Sequence, residues 1–519
     1  MGVCLTIFNG WRDAMAENRF VRSMKSTDIT GKRRLGVSYI LFLFILAVIS
    51  ITICSKSSPV YPLNNWDDAN CFFTVGRTTV NGQVMYRDIF EQKGPWLYFI
   101  YAFAALISGG SFFGAYLIEI AAFFVFLLFS SKTVLLFCDR RAVILMPFIA
   151  AAVCTAPAFE QGGSAEELCL PLIAYSLYAG LKSIVSEKPV SRLEWFFIGI
   201  TSGTVLWIKF SLLGFYLGCG VFLVFYYIKQ KWHREFISFL FMLLAGEAVI
   251  SVPVFAYFII NGALRELFDV YFYCNIFVYS VRSVDNRLLA VVLNLFEGTK
   301  SLLYSFGFIC AVNICGGIYL FFRSRRMFGF VLCSCLSAFL LIYVGGRRYI
   351  YYSLVLAVFA PLGLVLIYKV LRLLHKKKLP DGSGINTVFG SCMLCYTVLT
   401  SLIWSPNTYM MAYSRSDMPQ YKFAETISQT KDPTILNFRF LDGGFYTACG
   451  ILPNCRFFCG LNIPYATSEQ ERYVRDGDVD YLITRDETVH LENYKLISIE
   501  SFEAHKNSYS VYYLYQKIT

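Results

Sequence analysis

Apolar residues run along this chain in long blocks, and polar residues gather in the gaps between them. The blocks lie near 36–54, 112–137, 142–157, 168–185, 194–210, 212–228, 236–260, 300–322, 327–345, 351–373 and 385–404. Most approach the ~20 residues a helix needs to cross the hydrocarbon of a bilayer. The pattern therefore predicts about eleven transmembrane helices. One apolar piece breaks the series. Trp96–Ile107 is too short to span alone, and "SGGS" separates it from the next block. Its Trp and Tyr content suits the membrane surface and predicts an interfacial or re-entrant helix. Beyond residue 405 the pattern changes. "YKFAETISQ" has helical spacing, whereas "PTILNF", "VDYLIT" and "SYSVYYLYQ" alternate as strands do.

The gaps carry an ordered charge. "KRR" (Lys32–Arg34) precedes the first block, and "DRR" (Asp139–Arg141) follows the second. "LKSIVSEKPVSR" follows the fourth, "KQKWHR" (Lys229–Arg234) the sixth, "RSRR" (Arg323–Arg326) the eighth and "HKKK" (His375–Lys378) the tenth. Basic loops of membrane proteins stay in the cytoplasm. That rule puts the amino terminus inside and the tail outside. It holds only if Trp96–Ile107 does not span, because counting it would reverse every later loop. The expected organisation is a cytoplasmic arm over 1–35, a membrane module over 36–405 with its first outer loop and interfacial helix over 55–111, and an extracytoplasmic α/β domain over 406–519. The expected location is the plasma (cytoplasmic) membrane.

Composition agrees. The chain is 56% hydrophobic and 16% charged, with a mean hydropathy of +0.54, against about 25% charged residues in soluble domains. A net charge of +11 then reads as the mark of cytoplasmic loops and not of nucleic-acid binding. Of 17 cysteines, only Cys71, Cys274, Cys449, Cys455 and Cys459 lie neither in nor beside an apolar segment nor in the amino-terminal arm, and their spacing fits no zinc motif. The four histidines lie far from the first loop, which argues against a histidine-built metal centre there.

The first loop is where the charge pattern becomes chemistry. Between Ser55 and Pro95 it carries Lys56, Asp67, Asp68, Arg77, Arg87, Asp88, Glu91 and Lys93. Loops meet water, so each charge has a plain reading, and "YPLNNWDDA" reads equally as an Asp cap on a helix running to Val80. The combination is more specific. An acidic pair beside Trp66 is followed by "YRDIFEQKGP", which leads straight into the aromatic interfacial piece.

This loop resembles that of the membrane glycosyltransferases of the GT-C class, in the bacterial branch related to protein O-mannosyltransferases and aminoarabinose transferases. Those proteins carry an acidic pair, roughly Asp-Glu-Ala, soon after the first span, and Lys-Pro-Pro-Leu about 25 residues later. The counterparts here are "DDA" (Asp67, Asp68, Ala69) and "KGPWLY" (Lys93–Tyr98). The second acid is Asp instead of Glu, and Gly94 replaces the first proline. "GGSAEELCLP" and "LWIKFSLLG" resemble a Glu-containing and a Lys-containing segment of the same proteins.

The resemblance implies an all-α polytopic GT-C-like fold with a small extracytoplasmic α/β domain. It also implies transfer of a sugar, with inversion, from a polyprenyl-phosphate donor to a glycan, lipid or protein acceptor outside the membrane. An acceptor hydroxyl must lose its proton, so a carboxylate serves as general base; Asp67 takes that role by position, with Asp68 beside it. Negative charge grows on the departing phosphate, so fixed cations must meet it; the candidates are Lys93, Lys209, Arg347 and Arg348. Asp88, Glu91, Glu166 and Glu167 are candidates for holding the sugar or the acceptor, although the last two read equally as a helix cap. The Tyr- and Phe-rich Asp269–Tyr279 reads as a gate or as an interfacial helix. No cofactor is certain; acids without histidines suit Mg²⁺ or Mn²⁺. Membrane lipids are expected partners. A transporter would place charges at mid-membrane on repeated halves, and a polysaccharide polymerase or ligase would place its main outer loop late in the chain; these are the alternatives.

Overall fold

The computed structural model describes residues 35–280, 286–374, 387–487, 491–505 and 507–518. The basic cluster Lys32–Arg34, most of the amino-terminal arm and "HKKK" lie outside the described residues. A helix lies in each of the eleven apolar blocks. In chain order they begin with α1 (Val37–Cys54), followed in the first loop by α2 (Asp67–Val80) and α3 (Pro95–Ile107). Then come α4 (Phe113–Leu135), α5 (Met146–Cys154), α6 (Ala165–Ser186), α7 (Arg192–Lys209), α8 (Gly214–Lys229) and α9 (His233–Ile260). The set continues with α10 (Arg287–Arg323), α11 (Arg325–Tyr343), α12 (Ala360–Leu374) and α13 (Thr387–Trp404). Among the described residues, eight helical stretches are long and apolar enough to cross a membrane, with Arg192–Lys229 counted as one. This is a multi-pass membrane protein. The helix α3, of 13 residues, is short as its sequence predicts.

Small residues set the tightest helix crossings, as they do where helices pack in lipid. A side chain on Gly199 of α7 would come within 2.1 Å of the Leu243 carbonyl of α9, and one on Gly246 of α9 within 2.1 Å of the Phe196 carbonyl of α7. Gly214 and Gly218, one turn apart on α8, meet the backbone of α11 in the same way.

A four-stranded sheet follows, with strands β1 (Ile435–Asn437), β2 (Tyr481–Thr484), β3 (Tyr494–His505) and β4 (Ser508–Lys517). The order is β1-β2-β4-β3; β1 and β2 run parallel, and the other neighbours are antiparallel. Helices α14 (Pro419–Ile427) and α15 (Pro464–Asp476) accompany it. The sequence pattern anticipates α14, β1, β2 and β4. It misses α15, whose polar faces dominate, and the edge strand β3, half of whose side chains are charged or polar.

This C-terminal domain sits on the first loop. Arg456 donates to the Tyr86 carbonyl at 2.8 Å, and the Phe90 amide donates to the Arg456 carbonyl at 2.9 Å. Tyr409 and Asn65 both donate to the Ala504 carbonyl of β3, at 2.6 and 3.2 Å.

Candidate active site

Helix α2 does begin at Asp67, but neither acid caps it. The N-cap is Trp66, without a side-chain bond, and Asp67 and Asp68 occupy the first turn. There they suit the positive end of the helix dipole. Successive helical residues point about 100° apart, so the two acids face different partners. Asp67 is gripped by Arg485, just past the end of β2, in a bidentate pair at 2.8 and 3.0 Å. Tyr512 of β4 accepts from the same guanidinium at 3.0 Å. Burial raises the Asp67 carboxyl above the usual carboxylate range, with Arg485 pulling against it. Asp68 faces the helical bundle and accepts from Tyr351 at 2.6 Å; the Tyr351 ring meets Trp66 edge-on at 5.3 Å.

Near Asp68 lies a cavity of about 340 Å³. Its walls include Lys93, Lys209 and Arg347, with Gln92, Asn275, Tyr279 and Tyr352 between them. Ile208, Phe210, Ile276, Leu341 and Ile342 make much of the remainder apolar. Burial works against the charge of Lys93, and Glu91 and Asp68 overcome it, so the group stays an ammonium. Lys209, the last residue of α7, pairs with Glu166 in the first turn of α6. Its ammonium lies 3.4 Å from the centre of the Tyr352 ring. Arg347 donates to the Tyr279 carbonyl at 3.1 Å and lies 4.2 Å over the Tyr279 ring. The Tyr- and Phe-rich segment is a π-helix, Leu267–Val278, and it supplies Tyr271, Asn275 and Ile276 to the cavity wall.

The remaining candidates divide. Glu91 is buried and accepts from the Lys93 amide at 3.1 Å and from Tyr98, which fixes the backbone that carries Lys93. Glu167 accepts from the Gly163 amide at 2.8 Å, while Ser164 caps α6. Asp88 is not brought to the cavity; it pairs with Arg87 on the surface and accepts from the Val84 amide. Arg348 also parts from Arg347. It pairs with Glu297 at 3.3 Å, and both side chains are well exposed.

Gly94, the departure from the proline pattern, has a local cause. Its backbone is extended, and a side chain there would lie 2.0 Å from the Trp207 carbonyl. Its amide donates to the Ile208 carbonyl at 3.1 Å, a bond that proline cannot make. The turn thus presses Lys93 against the end of α7, where Lys209 sits.

Several residues of the site escaped sequence reasoning. Tyr351 and Tyr352 lie in the segment "GGRRYIYY", where the arginines are the residues whose charge suits a phosphate. Arg485 follows a strand more than 400 residues from Asp67, and only its place past an apolar strand end marks it. Glu160 is the fourth. It has a positive φ of 53°, a strained backbone for this residue, of a kind that clusters at functional sites. Its carboxyl is pushed up to about 8, by burial first and then by Asp68, with Lys56 opposing. The buried Lys56 amine is pushed down to about 7 by burial and donates to Asn65 at 2.7 Å. Among the described residues no three His, Cys, Asp or Glu side chains are grouped to hold a metal ion.

No family model and no curated protein matches the sequence. Solved structures do match. The crystal structure of ArnT from Cupriavidus metallidurans bound to undecaprenyl phosphate has a TM-score of 0.59 at 11% identity, covering 92% of this chain and 97% of that one. The apo structure of the same protein also has a TM-score of 0.59, at 12% identity and the same coverage. ArnT is an aminoarabinose transferase of the GT-C class. Over 92% of its length the chain shares the GT-C-like fold of these ArnT structures.

Proposed function

We propose that the protein is a membrane glycosyltransferase that moves a sugar from a polyprenyl-phosphate donor to an acceptor on the outer face of the plasma membrane. The observation that carries this reading is the cavity that gathers Lys93, Lys209 and Arg347 next to Asp68, in a chain with the ArnT fold. The donor phosphate lies among the three cations, and the polyprenyl chain leaves along the apolar walls. As the bond between the anomeric carbon and the phosphate oxygen breaks, the growing negative charge meets these fixed cations. The acceptor hydroxyl attacks the opposite face of the anomeric carbon and gives its proton to Asp67, which inverts the centre. Asp68, fixed by Tyr351, holds the sugar or the acceptor. Arg485 fixes the Asp67 carboxylate in one orientation, so the C-terminal domain completes the site. Every step uses the chain's own residues; none is routed through a metal ion.

Asp67→Asn tests the base. Asn keeps the shape and loses the ability to take a proton at neutral pH. In reconstituted membranes, donor binding should persist while transfer falls about 10² to 10⁴-fold, the usual cost of a lost general base. Transfer at the wild-type rate would remove Asp67 from the mechanism. A wild type that transfers no sugar from any polyprenyl-linked donor, yet moves a solute across vesicles, would replace the transferase reading with the transporter.

A further inference from the structure

Helix α2 presents one face to the C-terminal domain at helical spacing. Asp67 meets Arg485, Cys71 meets Cys459, and Thr74 donates to Asp442 at 2.6 Å. The middle contact differs in kind. The two sulfur atoms are 3.7 Å apart, both side chains are buried, and 388 residues separate them in sequence. Both belong to the five cysteines that the apolar blocks do not absorb.

We propose that Cys71 and Cys459 are joined by a disulfide in the mature protein, tying α2 to the C-terminal domain one turn away from Asp67. The proposal rests on the outward orientation of the first loop given above, because disulfides persist in oxidising compartments. Bonded sulfurs lie about 2.0 Å apart, so bond formation brings these two sulfurs about 1.7 Å nearer to each other. Burial raises both thiols above their ordinary range, and a protonated thiol is a poor nucleophile. The bond therefore forms during folding, while the sulfurs are still accessible. One cysteine thiolate attacks the disulfide of a protein thiol oxidase and gives a mixed disulfide. The second thiolate then displaces the oxidase sulfur. Two protons leave the cysteines, and two electrons pass to the oxidase, which departs as a dithiol. A plain packing contact between two small apolar side chains is the competing account. It predicts free thiols.

The test uses the full-length protein in its native membrane. Membranes are denatured in N-ethylmaleimide without reductant, and the protein is digested and analysed by mass spectrometry. We expect a peptide pair joined through Cys71 and Cys459 that disappears on reduction. Both cysteines carrying the maleimide before reduction would overturn the proposal. Orientation is read separately. Gly82→Cys in a cysteine-free background should react with an impermeant thiol reagent from outside, and Gln230→Cys should not. Labelling at Gly82 together with free native thiols would leave the orientation standing and the disulfide refuted. As a second readout, dithiothreitol should lower the inactivation temperature of the wild type by several degrees and leave that of Cys71→Ser/Cys459→Ser unchanged. An equal shift in both proteins would also contradict the bond.

Discussion

The charges at this site are held in pairs whose partners decide what each one does. Lys209 and Glu166 are almost wholly buried together, at 12% and 1% side-chain exposure. Removing only the ammonium strands a buried carboxylate, a loss of about 3 to 5 kcal/mol. Lys209→Met should therefore destabilise the protein for reasons unrelated to the donor. Lys209→Met/Glu166→Gln should recover the thermal stability and still bind donor weakly, whereas Glu166→Gln alone should bind it. A double variant with wild-type donor affinity would make Lys209 a structural anchor. The Asp67–Arg485 pair affects the pH profile instead. A neighbouring arginine lowers a carboxyl pKa by about 1 to 3 units, and here it opposes the rise that burial causes. Arg485→Gln should let the Asp67 pKa rise further. A base must be ionised to act, so the acidic limb of the rate profile should move to higher pH by a similar interval. An unmoved limb with a lowered rate would leave Arg485 with a role in domain docking only.

At the scale of elements, the first loop is a scaffold built around two close approaches. One is α2, whose face toward the C-terminal domain carries Asp67, Cys71 and Thr74. The other is the Gly94 turn against Trp207 and Ile208. Gly94→Ala should lower thermal stability and weaken donor binding, because the turn must back away from α7 and take Lys93 with it. Gly110→Ala, where nothing lies within 4 Å of the added methyl, is the comparison and should behave as wild type. Equal behaviour of the two variants would remove the turn from the account. These elements were legible in the sequence to different degrees. The start of α2 at "DDA" and the short α3 after "KGP" follow from helical patterning and an N-terminal proline. The partners of the two acids do not follow from it. Local patterning sees the helix, not what the helix touches, and an Asp cap and an Asp ion pair look alike in letters.

For the whole molecule, the apolar blocks announce a helical bundle because a bilayer demands long apolar stretches, and a helix lies in each block. The three cations Lys93, Lys209 and Arg347 were readable one by one as charges beside apolar ends. Their convergence required the fold, since they come from three separate parts of the chain. Arg348 shows the limit: adjacent in sequence to Arg347, it turns to Glu297 on the surface. The seat of the C-terminal domain on the first loop was illegible, because it depends on contacts between segments hundreds of residues apart. The central claim is that these convergent cations hold the phosphate of a polyprenyl carrier. Native mass spectrometry of the protein released from its own membrane, then supplied with a polyprenyl phosphate, tests it most directly. The wild type should hold the lipid one to one, and Lys93→Met/Glu91→Gln/Arg347→Met, which leaves no buried carboxylate stranded, should lose it while remaining folded. Equal retention of the lipid by the variant, or none by the wild type, would contradict the account.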